Sequence, residues 1–198
     1  MKKVIIGALV GGLIIFIWQF LSYAAINFHR PAQQYTEKQE EIMNFLNNAG
    51  LKEGGYFLPN VPDGASAEDH NKLVEASLGK PWATIQYHAA LEDNMVMNMI
   101  RGFLVNVIVV FLFLSILRRI SRPTFGQVLG SAIMVGLIVF LNGPYTGHIW
   151  YQFFDTWAHL LDAIVSWALV GAWLGWWMRR GENEMVAVRR NEREAEMV

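Results

Sequence analysis

Asp155, His159, Asp162 and Ser166 follow one another at spacings of four, three and four, which on an α-helix sets them along one face. The stretch that carries them, from Phe154 to Trp177, is otherwise apolar. Carboxylates and an imidazole on one face suit three tasks: holding a polar headgroup, relaying a proton with His159 as the titrating member, or locking helices together. An ionisable group in an apolar run is costly to bury alone and marks a functional site by default. Arg101, in a second apolar run with Asn98 and Asn106 near it, is the expected partner. At 1.5 Å per residue, Asp162 lies about 22 Å from Trp177, and Arg101 about 24 Å from Leu117. Their matching height makes Arg101, Asp155, His159 and Asp162 the candidate polar or ligand site. The plainer readings are a structural Arg101–Asp162 pair, or an Arg101 that snorkels to the surface.

Asp155, His159, Asp162 and His148 also offer donors that zinc accepts. Spacings of four and three are common by chance, however, and no HExxH-type pattern accompanies them. The sequence therefore assigns no metal ligand and no cofactor. His29, His70 and His88 stand without ligand-like company and read as surface or packed histidines. Just before the polar face, Asn142 to Gln152 is rich in turn formers and aromatics, so a loop is expected. Within it Tyr145, His148, Trp150 and Tyr151 form a candidate interface lip: a headgroup-level anchor first, and a contact for a lipid or partner subunit second.

The elements that must position these residues are apolar helices. The chain has 198 residues, 54% of them hydrophobic, with 8 Trp, no Cys and a formal net charge of −1. Without Cys there are no disulfides, thiolate metal sites or Cys nucleophiles. The apolar residues gather in four runs of the length that crosses a hydrocarbon core, over about 1–24, 95–117, 125–141 and 154–177. Lys2 and Lys3 precede the first run, Arg118, Arg119 and Arg122 separate the second from the third, and Arg179, Arg180, Arg189, Arg190 and Arg193 follow the fourth. With four spans all three clusters fall on one side, as the positive-inside rule requires. The first run is longer than the apolar part of a signal peptide, which favours a retained signal anchor over cleavage near Ala24.

The expected fold is thus an α-helical integral membrane protein: four transmembrane helices with a small α+β extracytoplasmic module, residues 25–94, between helices 1 and 2. Residues 95–178 form the three-helix membrane domain, and residues 179–198 a charged cytoplasmic tail of alternating sign. In the module, Thr36 with Gln39 predicts a capping box for one helix, Gly50 its end, and Ser66 with Asp69 a capping box for a second. Gly54 to Leu58 and Trp82 to His88 read as strands. Glycines four apart, at Gly7 and Gly11, Gly126 and Gly130, and Gly171 and Gly175, predict close helix approach within the bundle.

The order of features resembles a family of small uncharacterised bacterial integral membrane proteins with one N-terminal span, an outer module and three further spans. The residues that carry the likeness are Gly55-x-Phe57-x-Pro59, Gly79-x-Pro81, Trp150-Tyr151-x-Phe153, Asp162, Trp167 and Gly171. The resemblance implies an architecture and a bacterial inner-membrane location with both termini cytoplasmic, and no catalytic residues. No nucleophile elbow, phosphate loop or dinucleotide fingerprint is present. The expected function is therefore non-enzymatic: an accessory, assembly or scaffold subunit of a membrane complex. Its partners are then the lipid bilayer and other membrane or extracytoplasmic subunits, not nucleic acid. The alternative is a lipid-binding or transport-linked protein that uses the polar site between helices 2 and 4.

Overall fold

The structure, a computed structural model, describes residues 2–196, with side chains as far as Arg180. The alternating charges expected from Glu182 to Glu196 lie outside the described side chains. Four helical stretches are long and apolar enough to cross a membrane: Lys2–Ala25, Met95–Leu117, Phe125–Trp150 and Thr156–Arg180. They make this a multi-pass membrane protein by length and composition. The chain forms two compact units, one of residues 1–34 with 94–198 and one of residues 35–93.

In the first unit, α1 (Lys2–Phe20) ends in a wide π turn over Leu21–Ala25. It packs against α4 (Met95–Leu117) and against α7, which runs from Thr156 to Glu196; α7 in turn packs along α5 (Phe125–Phe140). Large apolar side chains on the outside, such as Leu9, Leu13, Leu104, Ile108, Leu112 and Ile116, are exposed. The inner faces meet in a core of Val110, Phe113, Leu114, Leu117, Val128, Trp167, Val170 and Leu174. Apolar residues on both faces are what a lipid-facing bundle requires. Trp177 Nε1 donates to the Lys3 carbonyl at 3.1 Å, and a Cβ on Gly175 would meet the Phe125 ring. Lys2, Lys3, Arg118, Arg119, Arg122, Arg179 and Arg180 are therefore gathered at one end of the bundle, all exposed.

The helix starts follow from local chemistry. At α5, Thr124 Oγ1 accepts from the Gln127 N–H at 3.2 Å while Gln127 Oε1 accepts from the Thr124 N–H at 2.8 Å, which closes a capping box. Its far end departs from the expected loop. The chain stays helical through a π turn over Leu141–Tyr145 and a short helix α6 (Thr146–Trp150). The wide turn absorbs Pro144, and Thr146 Oγ1 donates to the Leu141 carbonyl at 2.7 Å. Local π geometry and hydroxyl bonding of this kind re-satisfy the backbone around a proline in a membrane helix.

The close approaches are made by glycine. A Cβ on Gly12 would lie 2.8 Å from the Val107 Cα and N, and one on Gly11 would lie 2.7 Å from a Val110 methyl. On Gly171 it would meet the Ala132 Cβ at 2.7 Å. Two of the three expected glycine pairs therefore pack within the chain. Gly126 and Gly130 differ, with nothing within 4 Å of a Cβ built on either.

The second unit carries two helices, α2 (Gln39–Asn48) and α3 (Ala67–Ser77), with strands β1 (Gly54–Leu58) and β2 (Ala83–Tyr87). The strands pair antiparallel, with Gly54 opposite Tyr87 and Leu58 opposite Ala83. Tyr87 is buried, and its hydroxyl donates to Asn47 Oδ1 at 3.3 Å. The Ser66–Asp69 capping box forms as expected. The Thr36 box does not: α2 starts at Gln39, and Thr36 Oγ1 accepts instead from the Lys38 N–H at 3.2 Å. Gln39 is thus the first helical residue rather than the third, and its side chain cannot reach back. Gly50, at φ +68°, ends this helix in the left-handed conformation that glycine takes freely.

Gly12→Ala forces side chain into backbone, so thermal unfolding in detergent is expected to show a loss of about 1–3 kcal/mol. Gly130→Ala, with open space around an added Cβ, is expected to cost nothing and to stabilise by up to about 1 kcal/mol. At α3, hydrogen bonds from Ser66 hold the Asp69 carboxyl below the usual aspartate range. A lowered folded-state value gives a contribution that is present at neutral pH and lost only as pH falls through that value. Amide exchange of the first turn of α3 is therefore expected to be insensitive to pH from about 7 to 5 once corrected for intrinsic rates. Ser66→Ala is expected to speed it across that range.

Candidate functional site

At the end of the bundle opposite the basic clusters, the chain leaves α1 and folds back over it. The π turn passes through Asn27, at φ +58°, into a 3-10 turn over Arg30–Ala32, and the Phe28 N–H donates to the Ser22 carbonyl at 2.9 Å. This turn tucks in His29, which has no exposed surface. Its Nδ1 lies 2.8 Å from Asp155 Oδ2 and its Nε2 lies 3.0 Å from Asp162 Oδ2. One imidazole thus bridges two carboxylates seven positions apart, Asp155 at the residue before α7 and Asp162 within its second turn. Trp18 Nε1 donates to the other oxygen of Asp162 at 2.9 Å, and His159 Nε2 lies 3.5 Å from Asp155 Oδ2. Tyr23 stacks flat on His29, ring centroids 3.7 Å apart, and His159 is tilted against it at 4.8 Å.

The bridge imposes a charge requirement. A neutral imidazole has one N–H and one lone pair. With both carboxylates ionised, one of the two short contacts would then set a lone pair against an anion. The arrangement therefore calls for one cation more than the neutral ring supplies: a second ring proton, a proton on a carboxylate, or a metal ion in place of either. Three ligand atoms, one each from His29, Asp155 and His159, lie within 4.8 Å of one another.

Asp155, His159 and Asp162 are thus brought together as their spacing predicted. Arg101 is not with them: it is exposed and makes no ion pair among the described residues. Equal height along two helices does not set the direction in which a side chain faces, and Asp162 is already held by His29 and Trp18. His29, read from the sequence as surface or packed, is instead the centre of the cluster. The available signal was the need itself, since two carboxylates in an apolar helix require a cationic partner.

Below the cluster lies a cavity of about 270 Å³ whose polar lining is Gln19, Asn106, His159, Asp162 and Ser166, against Ile15, Phe140 and Trp167. Asn106 Nδ2 donates to Gln19 Oε1 at 2.8 Å, and Ser166 Oγ donates back to the Asp162 carbonyl at 2.6 Å. The expected lip is helical and only partly drawn together. Tyr145 and His148 stack at 6.4 Å, and His148 Nδ1 accepts from the Phe153 N–H at 2.9 Å, which fixes the neutral ring's proton on Nε2. Trp150 and Tyr151 are exposed. Set against protein-family models, curated proteins and solved structures, the chain matches none.

Proposed function

We propose that the chain is a non-enzymatic protein of a bacterial inner membrane, with both termini cytoplasmic, that binds the amine headgroup of a lipid or a similar small cationic amphiphile. The observation that carries this reading is the 270 Å³ cavity with a carboxylate, an imidazole, two amides and a hydroxyl on an apolar wall. That volume lies just below the usual range for ligand pockets, room for a headgroup while the acyl chains stay in the bilayer. Two carboxylates beside a single bridging imidazole favour a positive ligand over an anionic one. The orientation is supported by the basic clusters gathered at the opposite end, and the bacterial location by the family resemblance.

A second reading, an accessory or scaffold subunit, is favoured by residues 35–93. Phe45 and Leu78 are 71% and 74% exposed, and Leu58, Pro59, Pro81 and Trp82 line an open groove. So much apolar surface on a small module is the mark of a contact surface.

Native mass spectrometry of the full chain from mild detergent is expected to show one retained amine-headed lipid. Asp162→Asn and Asn106→Leu should each lower its occupancy several-fold. No retained lipid, or equal occupancy in folded variants, would reject the binding reading. If a protein partner co-purifies and Trp82→Ser releases it while lipid occupancy is unchanged, the scaffold reading gains; recovery of a lone monomer would count against it.

A further inference from the structure

We propose that His29 Nδ1, Asp155 Oδ2 and His159 Nε2 form a binding site for a first-row divalent transition-metal ion of the Zn²⁺ class, with Asp162 as the carboxylate that orients His29. This goes beyond the headgroup reading and stands partly on other residues: His29 and Asp155 do not line the cavity, whereas His159 and Asp162 are common to both.

The first argument is geometric. Asp155 Oδ2 lies 2.8 Å from His29 Nδ1 and 3.5 Å from His159 Nε2, and the three ligand atoms span no more than 4.8 Å. Around an ion with bonds of about 2.0–2.2 Å, neighbouring tetrahedral ligands stand roughly 3.3–3.5 Å apart. One separation already fits, another opens by about half an ångström, and the widest, at most 4.8 Å, closes by roughly 1.3–1.5 Å. His159, whose side chain is 25% exposed, is the ligand with room to rotate toward the ion, while His29 stays seated.

The second argument concerns what stands behind the ligands. A metal-binding histidine characteristically gives its other ring N–H to a carboxylate, which fixes the tautomer and the ring direction. With Nδ1 on the ion, His29 Nε2–H faces Asp162 Oδ2 at 3.0 Å, and Trp18 Nε1–H holds the other Asp162 oxygen at 2.9 Å. The supporting chain from indole to carboxylate to imidazole is already complete, and Tyr23 stacked at 3.7 Å holds the ring plane. An arrangement needed only to bury a histidine would not require an anion at each nitrogen.

The third argument is charge. Asp155 and Asp162 are both largely buried, their side chains 9% and 16% exposed. One proton on the bridge leaves a net charge of −1, whereas a divalent ion brings the pair to neutrality, the state favoured where water is scarce. Two imidazoles with one carboxylate select zinc, iron, cobalt or nickel over magnesium and calcium, which prefer all-oxygen shells. The open side of the cluster is the cavity that His159 and Asp162 line, with room for water at a fourth position.

The full chain, purified without a polyhistidine tag and stripped with chelator, is titrated with Zn²⁺ by calorimetry and with Co²⁺ by visible absorption. One ion per chain is expected, with Co²⁺ bands of a nitrogen–oxygen site. His29→Gln and His159→Gln should each weaken binding at least tenfold, and Asp162→Asn by about ten- to a hundredfold. His70→Gln and His88→Gln should bind as the unaltered chain does. If His29→Gln fails to fold, His159→Gln decides, because that side chain is 25% exposed. Absence of stoichiometric binding, or unchanged affinity in folded His159→Gln, overturns the metal site; lipid retained in the same preparation would leave the headgroup reading standing.

Discussion

The bridge from Asp155 through His29 to Asp162 is the constraint to which the rest of the bundle answers. Charged groups are expensive in a membrane-spanning helix, and losing one partner of a buried pair costs about 3–5 kcal/mol. Two carboxylates, Asp155 just before α7 and Asp162 within it, therefore oblige some other element to bring them a polar partner. The chain meets this with the residues that follow α1, which turn back sharply enough to seat His29 between the two oxygens. Because one ring binds both carboxylates, the start of α7 and the end of α1 are fixed in both rotation and height. A single ion pair at one position would fix only their distance.

That demand explains where the glycines fall. For α1 to lie against α7 at the polar end and against α4 along its length, its backbone must approach α4 closely, and Gly11 and Gly12 permit this at Val110 and Val107. Gly7 does the same near the basic end, between Leu114 and Leu174. On the other side, Gly136 lies against the Ala163 carbonyl and Trp167, one residue beyond Asp162 in the first case. Water expulsion drives no association between helices already in lipid, so close backbone contact and polar pairing supply it. The first apolar run is accordingly a wall of the site as well as a span: it supplies Trp18 to Asp162 and Gln19 to Asn106.

Much of this was legible in the sequence, and the gaps have physical causes. Span lengths follow from the thickness of a hydrocarbon core, and the Ser66 and Thr124 helix starts from local side-chain chemistry. The shared face of His159 and Asp162 follows from helical period, and Asp155, the residue before the helix, extends it. The boundary of the polar module was less accessible. Residues 25–34 have the composition of a loop, yet they belong to the bundle unit because His29 is drawn into it. Nothing local to His29 announces this, since its partners lie 126 and 133 positions away. Arg101 was the opposite case: a strong local cue, a cation at the right depth, that fails because depth along an axis leaves the azimuth free. The helix through Asn142, Gly143 and Pro144 likewise escaped, because turn-forming composition is a property of water-exposed chains. A membrane helix can absorb the same residues in a π turn.

The position of the carboxylates also constrains what chemistry the cluster suits. A His–Asp pair serves a hydrolase when the imidazole keeps a free nitrogen for a nucleophile's proton. His29 has none to spare, because both its nitrogens face carboxylates, and His148 directs its acceptor nitrogen at the Phe153 N–H. His159 is the histidine at the cavity wall, and its nearest ionic partner is again Asp155. The cluster is thus rich in acceptors and short of donors, which is the composition of a site that holds positive charge. An anionic headgroup would meet two carboxylates there, with Arg101 exposed and unpaired among the described residues. An ammonium group or a metal ion would instead relieve the deficit that the His29 bridge leaves unsatisfied.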